Sequence, residues 1–75
     1  MWDENSRIMR VIGDRLVEIG WATRVVTTGD GVAIDFTTVG SEKYSTLRAL
    51  LVELGYFDFT RDHHVALLSL LRLVE

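Results

Sequence analysis

Apolar residues recur every three or four positions over the first quarter of the chain, which predicts a helix from Asp3 to Gly20. The apolar stripe of this helix consists of Ile8, Ile12, Leu16 and Ile19. Acidic residues near the start favour the positive end of the helix dipole, and Gly20 is a residue at which the helix can end. One side of the helix is therefore expected to face the core and the other to face solvent.

The next segment, residues 21–39, is rich in β-branched and aromatic residues on both sides of the stretch from Gly29 to Gly31. This pattern predicts two antiparallel strands joined by a tight turn, because glycine and aspartate tolerate the backbone angles of short turns. With a two-residue turn at 29–30 or 30–31, one face carries Thr23, Val25, Thr27, Val32, Ile34 and Phe36. The other face then carries Arg24, Val26 and Asp35. A three-residue loop would shift this pairing by one position.

The second half of the chain predicts two more helices. Ser41 is a suitable N-cap for a helix that runs to about Leu54, and Gly55 follows as a residue at which it can end. The apolar stripe of this helix consists of Tyr44, Leu47, Leu50, Leu51 and Leu54. After a short aromatic connector, Thr60 is placed to cap a third helix, in which Asp62 lies near the positive end of the dipole.

The third predicted helix is apolar over more of its circumference than packing on one side requires. Between Val65 and Val74, only Ser69 and Arg72 are polar. A helix that is apolar over so wide an arc is buried on more than one side. Three helices and two strands offer little material for such burial, so a partner surface is expected to cover part of this helix.

Association with a second copy of the chain is expected on further grounds. A chain of 75 residues buries a low fraction of its surface, and small domains are often supported by disulfides, a metal or oligomerisation. The absence of cysteine removes disulfides, and with them thiolate catalysis and cysteine-based zinc sites. A lone hairpin also has two open edges, and pairing between two copies would give a four-stranded sheet. The sequence therefore predicts a homodimer.

Composition narrows the class of protein. The chain has no proline and no low-complexity tract, so residues 1–75 are predicted to form a single domain. A net charge of -3 disfavours attraction to phosphate backbones and anionic lipid, so neither nucleic acid nor a membrane is expected as a partner. No segment has the apolar core of a signal peptide or the roughly 18 apolar residues of a membrane span. A cytoplasmic protein is therefore predicted.

The adjacent residues Asp62, His63 and His64 form the strongest candidate for a chemical site. Two ligands on one helix normally lie three or four positions apart, and the residues at those distances, Ala66 to Leu68, cannot bind a metal. We therefore expect both histidines to lie on the solvated first turn of the third helix. The alternative is a small enzyme or metal-binding protein whose site is completed across a subunit interface, with Asp62 or Asp58 as the acidic partner, or a pH-sensitive contact.

A nucleic-acid-associated regulator is a further alternative. Arginines are scattered along the chain and interleaved with acidic residues: Arg7, Arg10, Arg24, Arg48 and Arg61. A recognition helix should present arginine, lysine, asparagine or glutamine to the bases, whereas the third helix presents leucines. The basic residues therefore do not favour this hypothesis.

The sequence as a whole favours an α+β domain that acts as a non-enzymatic protein-protein interaction module, such as an adaptor, regulatory or inhibitor protein. A second copy and a further protein are the expected partners, and no catalytic residue, cofactor or metal is predicted. Aromatic and leucine side chains are expected at the interface. They are Tyr56, Phe57, Phe59, Leu67, Leu70, Leu71 and Val74. Some of these residues could instead form the core of a single copy.

Overall fold

Three helices and a two-stranded antiparallel hairpin follow one another in the order helix, hairpin, helix, helix. Their bounds are α1 at Glu4–Glu18, β1 at Ala22–Thr28, β2 at Gly31–Phe36, α2 at Thr38–Glu53 and α3 at Arg61–Leu71. The computed structural model describes residues 4–74, so Asp3, the predicted start of the first helix, lies outside the described residues. The predicted α+β fold and its order of elements are confirmed.

Helix α1 lies at the centre of the packing. It contacts both α3 and the hairpin, while α2 packs against α3. The buried apolar core draws on all three helices and on the start of the first strand, and it consists of Ile12, Leu16, Ala22, Tyr44, Leu51, Leu67 and Leu71. The apolar stripe predicted for the first helix therefore does face the core.

The hairpin has the register that a two-residue turn predicts. Thr28 pairs with Gly31, which leaves residues 29 and 30 as the turn. Val25 is opposite Ile34 on the half-buried face, and Arg24 is opposite Asp35 on the exposed face, where the two side chains form an ion pair. An irregularity between residues 22 and 24 interrupts the alternation of the two faces, because Ala22 rather than Thr23 is opposite Phe36. In the described part of the chain the two strands pair only with each other.

Two helices end at the glycines that the sequence indicates. Gly20 and Gly55 have φ angles of 79° and 100°, in the left-handed region that favours glycine. After each glycine the backbone N–H turns back to the helix, so Trp21 donates to the carbonyl of Leu16 and Tyr56 donates to that of Leu51, each at 2.9 Å. Both predicted helix ends are therefore confirmed to within two residues.

The predicted N-cap of the second helix is wrong. Thr37, not Ser41, caps α2, and its hydroxyl accepts a hydrogen bond from the N–H of Gly40 at 2.9 Å. The same threonine donates from its N–H and its hydroxyl to the carbonyl of Trp21, at 2.9 and 3.1 Å. The helix begins one turn earlier than expected because Thr37 satisfies its first amides and also ties its first turn to the segment before β1.

Arg15 joins the end of α1 to the end of α3. Its guanidinium donates to the carbonyl of Leu71 at 3.0 Å and to the carbonyl of Val74, and it also pairs with Glu18 at 2.9 Å. Carbonyls at the end of a helix have no partner within the helix, and a cation is favourable there because of the helix dipole. One side chain therefore fixes the C-terminal ends of both helices against each other.

Candidate functional site

The two histidines in the first turn of α3 are buried, which corrects the expectation that they are solvated. The side chain of His63 is 0% exposed and that of His64 is 7% exposed. Thr60 caps the helix as predicted, accepting from the N–H of His63 at 3.3 Å. His63 is four and eight residues before Leu67 and Leu71, so it continues the buried stripe of the helix. That spacing is the sequence signal that could have predicted the burial.

The imidazole rings of His63 and His64 lie side by side in this buried position. Their centroids are 5.9 Å apart and the ring planes make an angle of 77°, an edge-to-face arrangement. Among the described residues, neither ring nitrogen of His63 has a hydrogen-bond partner, and neither does Nδ1 of His64. Buried polar atoms without partners are rare in folded proteins, because such atoms lose their hydration and gain no hydrogen bond. The histidine pair is therefore an unusual feature for a domain of this size.

Asp58, in the aromatic connector between α2 and α3, is the acidic residue beside the pair. Its Oδ1 lies 3.6 Å from Nε2 of His63, forms an ion pair with Arg48 of α2 and accepts from the N–H of Phe59 at 3.1 Å. The hydrogen bond from Arg48 lowers the pKa of Asp58, so this carboxylate stays charged well into the acid range.

Arg48 also stacks on two aromatic rings. Its guanidinium lies 4.6 Å from the ring centre of Phe59 and 5.9 Å from that of Tyr44. Stacking of this kind favours a planar cation over an aromatic face. Arg48 therefore holds the connector against α2 through both its ion pair with Asp58 and its contact with the ring of Phe59.

Burial shifts the pKa of two groups around this cluster. The pKa of His64 is lowered, first because burial disfavours the charged imidazolium and then because His63 and Arg48 repel it. The pKa of Tyr44 is raised, mainly by burial. Both shifts favour the neutral side chain, so the interior of the cluster resists a further charge.

Acidification is expected to destabilise the domain as His64 becomes charged. Because the pKa of His64 is lowered in the folded state, the unfolded chain binds a proton more readily than the folded chain below about pH 6.5. The free energy of unfolding that is present above pH 6.5 is therefore lost as the pH falls toward the folded-state pKa of His64. Asp58 does not interfere, because its lowered pKa confines its own effect to pH values below about 4.

Urea unfolding at pH 7.5, 6.5 and 5.5, followed by circular dichroism, measures this dependence. The wild-type free energy of unfolding should decrease over the series, and a His64→Gln variant should show a smaller decrease. An equal slope in both proteins would mean that another group is responsible.

The predicted trio of Asp62, His63 and His64 does not come together as one site. Asp62 is exposed and lines a groove between α2 and α3, whereas the acidic partner of His63 is Asp58, the other acid named in the enzyme hypothesis. Between residues 4 and 74, no group of three histidine, aspartate or glutamate side chains is arranged to hold a metal ion. A fully buried imidazole also offers no accessible atom to a substrate in this conformation. A site completed by a second copy stays a hypothesis.

A groove between α2 and α3 has a volume of about 490 Å³. Its lining is mostly aliphatic: Leu50, Leu51, Leu54, Tyr56, Asp62, Val65, Ala66, Ser69 and Leu70. Tyr56 belongs to this lining and leads into the connector, which carries two exposed rings, since Phe57 is 80% exposed and Phe59 is 69% exposed. An exposed apolar patch of this kind is characteristic of interaction sites.

The structure divides the predicted interface residues into two groups. Tyr56, Phe57 and Phe59 are exposed, and Leu70 and Val74 are half-buried. Leu67 and Leu71 are instead fully buried in the core of one copy, so they are not available to a partner. The reason is that α1 and α2 both pack against α3, which covers more of this apolar helix than the sequence suggests. The exposed apolar residues that remain near its two ends are Val65 and Leu73.

No protein-family model, curated protein or solved structure matches this chain. Within residues 4–74, none of the helices combines the length and the apolar character needed to cross a membrane.

Proposed function

We propose that the protein is a non-enzymatic protein-protein interaction module that binds through the face formed by the α2/α3 groove and the aromatic connector. The observation that carries this proposal is an open, mostly aliphatic groove with Tyr56 in its lining, followed along the chain by two exposed phenylalanines. A few residues, often aromatic, supply most of the binding energy at protein interfaces, and they fill well-packed pockets of the partner. We refer to the groove and residues 56–59 together as the docking face.

A second copy of the chain is the partner that we propose for the docking face. A two-fold dimer uses the same patch on both subunits, so that patch must carry both a projection and a matching recess. The docking face has a recess in the groove and a projection in Phe57, the most exposed large apolar side chain among the described residues. Two copies could therefore insert their phenylalanines reciprocally, which would cover both rings and both grooves.

The charges of the chain favour an apolar partner surface over an anionic one. Five arginines form ion pairs with acidic residues of the same copy: Arg10, Arg15, Arg24, Arg48 and Arg61. Pairs of this kind neutralise the cations that a phosphate backbone would otherwise attract. The only charged residue that lines the described groove is Asp62. Burial of apolar surface is therefore the main source of affinity available to the docking face.

Replacing Phe57 with serine is expected to weaken self-association by about tenfold or more, which corresponds to about 1.4 kcal/mol. The substitution removes a ring that is exposed in one copy, so the fold of that copy should be unchanged. Sedimentation equilibrium or size-exclusion chromatography with light scattering, over a range of concentrations, measures the dissociation constant.

Val39→Ser is a matched control, because Val39 is also exposed but lies at the start of α2, outside the docking face. It should leave the dissociation constant unchanged. A wild-type protein that stays monomeric at high concentration, or an equal loss in both variants, would contradict the proposal.

A further inference from the structure

We propose that the buried histidine pair makes the aromatic connector sensitive to acid: when the pair takes up a proton, the Asp58 contacts rearrange and Phe57 and Phe59 leave their neutral-pH positions. The inference rests on the proposed function, since it describes regulation of the docking face. Its physical basis lies within one copy of the chain and can be tested there.

The first step is that a proton added to the histidine pair would create a buried charge without a hydrogen-bond partner. His63 and His64 are enclosed, and three of their four ring nitrogens have no hydrogen-bond partner among the described residues. A charge buried without a partner is costly, so protonation favours any rearrangement that gives the imidazolium a carboxylate or water. Histidine is the side chain for which this change in charge occurs near neutral pH.

The second step concerns the charged and titratable groups that surround the pair. Helix α2 contributes Arg48 and Tyr44, and the connector contributes Asp58. At the start of α1, Glu4 is bound to Arg61 in the first turn of α3 at 2.7 Å. Asp58 is therefore the carboxylate nearest to the pair, and it is already shared with Arg48.

The third step is that Asp58 also holds the connector. Its Oδ1 accepts from Arg48 and from the N–H of Phe59, and it lies 3.6 Å from Nε2 of His63. A protonated imidazole would compete with both donors for the same oxygen. Movement of the carboxylate toward the pair would therefore loosen the contacts that fix Phe59.

The fourth step is that the connector has a reason to move once those contacts loosen. Phe59 has a φ angle of 63°, in the left-handed region that is unfavourable for a residue with a bulky side chain. Such a conformation persists only where neighbouring contacts enforce it. Here these contacts are the hydrogen bond to Asp58 and the stacking on Arg48. Their loss would allow the backbone to return to an ordinary conformation and carry the phenylalanine rings with it.

Heteronuclear NMR of the full chain between pH 7.5 and 4.5, at a concentration where light scattering reports monomer, tests the inference. The amide signals of Phe59 and Thr60 should shift with the same midpoint as the imidazole ring protons of His64, and this midpoint should lie below the ordinary histidine pKa of 6.5. Amide signals that stay constant while the His64 ring titrates, or a His64 ring that does not titrate above pH 4.5, would overturn it.

Two variants distinguish the protonation of the histidine pair from the response of the connector, which depends on Asp58. His64→Gln should reduce the amide response, and Asp58→Asn should abolish it while leaving the ring titration in place. An Asp58→Asn protein whose Phe59 signal still follows the ring midpoint would also overturn the inference. The asparagine variant keeps the size of the side chain at an exposed position, so it should fold even if the His64 variant does not.

Light scattering at pH 7.5 and 5.0 distinguishes this inference from the proposed function. Dimers at pH 7.5 that weaken at pH 5.0, in step with the Asp58-dependent amide response, support both. A monomer at every pH with that amide response would overturn the proposed function and support the acid sensitivity of the connector. A dimer whose connector amide signals do not change with pH would support the proposed function and overturn the acid sensitivity of the connector.

Discussion

Replacing Gly40 with alanine is expected to destabilise the domain by about 3 kcal/mol or more. A Cβ atom on Gly40 would lie 1.9 Å from the carbonyl oxygen of Trp21 and 2.5 Å from its Cα and carbonyl carbon. All three are backbone atoms, so rotation of a side chain cannot relieve the contact. Relief would require the first turn of α2 to move away from residue 21, which breaks the hydrogen bonds of Thr37 to that carbonyl.

Urea unfolding of the Gly40→Ala protein, followed by circular dichroism, gives the free energy of unfolding. Gly29→Ala is the matched control, because a Cβ there meets no atom within 4 Å and the residue has no positive φ angle. This control should stay within about 0.5 kcal/mol of the wild type. A Gly40 variant that differs from the Gly29 variant by less than about 1 kcal/mol would show that the close approach is unimportant.

Shortening Leu67 to alanine is the second change with a large expected effect, a loss of about 2–5 kcal/mol. Leu67 is fully buried in the core with Ile12, Leu16 and Leu71, so truncation removes apolar contacts and leaves a cavity. A domain of 75 residues has a total stability of about 4–11 kcal/mol, so this loss is a large fraction of the total. Thermal and urea unfolding of the variant measure it.

Leu73→Ala is the control for this substitution, since the side chain of Leu73 is 78% exposed near the end of the same apolar segment. The control should change the unfolding free energy of the monomer by about 0.5 kcal/mol or less. Comparable losses at the two positions would mean that Leu67 is not enclosed by a single copy. The pair therefore tests which leucines of α3 belong to the core and which remain for a partner.

The order of elements could be predicted because each depends on local sequence. The 3.6-residue period of α1, the turn around residue 29 and the glycines at 20 and 55 all act within a few residues of where they occur. Helix caps are also local, but two candidates compete at the start of α2. Thr37 is favoured over Ser41 because of contacts with Trp21, which is 16 positions away from Thr37.

Burial along α3 could not be predicted in the same way, because it depends on which helices lie around it. The sequence treats His63 and His64 as polar residues of a first turn, whereas packing of α1 and α2 encloses them. The sequence leaves both Asp62 and Asp58 open as the acidic partner of the histidines, and it is Asp58 that approaches His63, from the connector. Helix periodicity indicates which residues share a face, but not how many neighbours cover that face.

The bond from Arg15 to the end of α3 has a consequence for the order in which the chain folds. It joins residues that are 56 and 59 positions apart, and the buried leucines of α3 complete a core that begins with Ile12 and Leu16. We expect contacts of such long sequence separation to form after the local ones, because closing a longer loop costs more chain entropy. Helix α1 and the hairpin can associate as soon as residue 36 is made, but one side of α1 then stays open to water until α3 docks. On that order of events, we expect α1 to expose its apolar stripe to other chains until α3 packs on it.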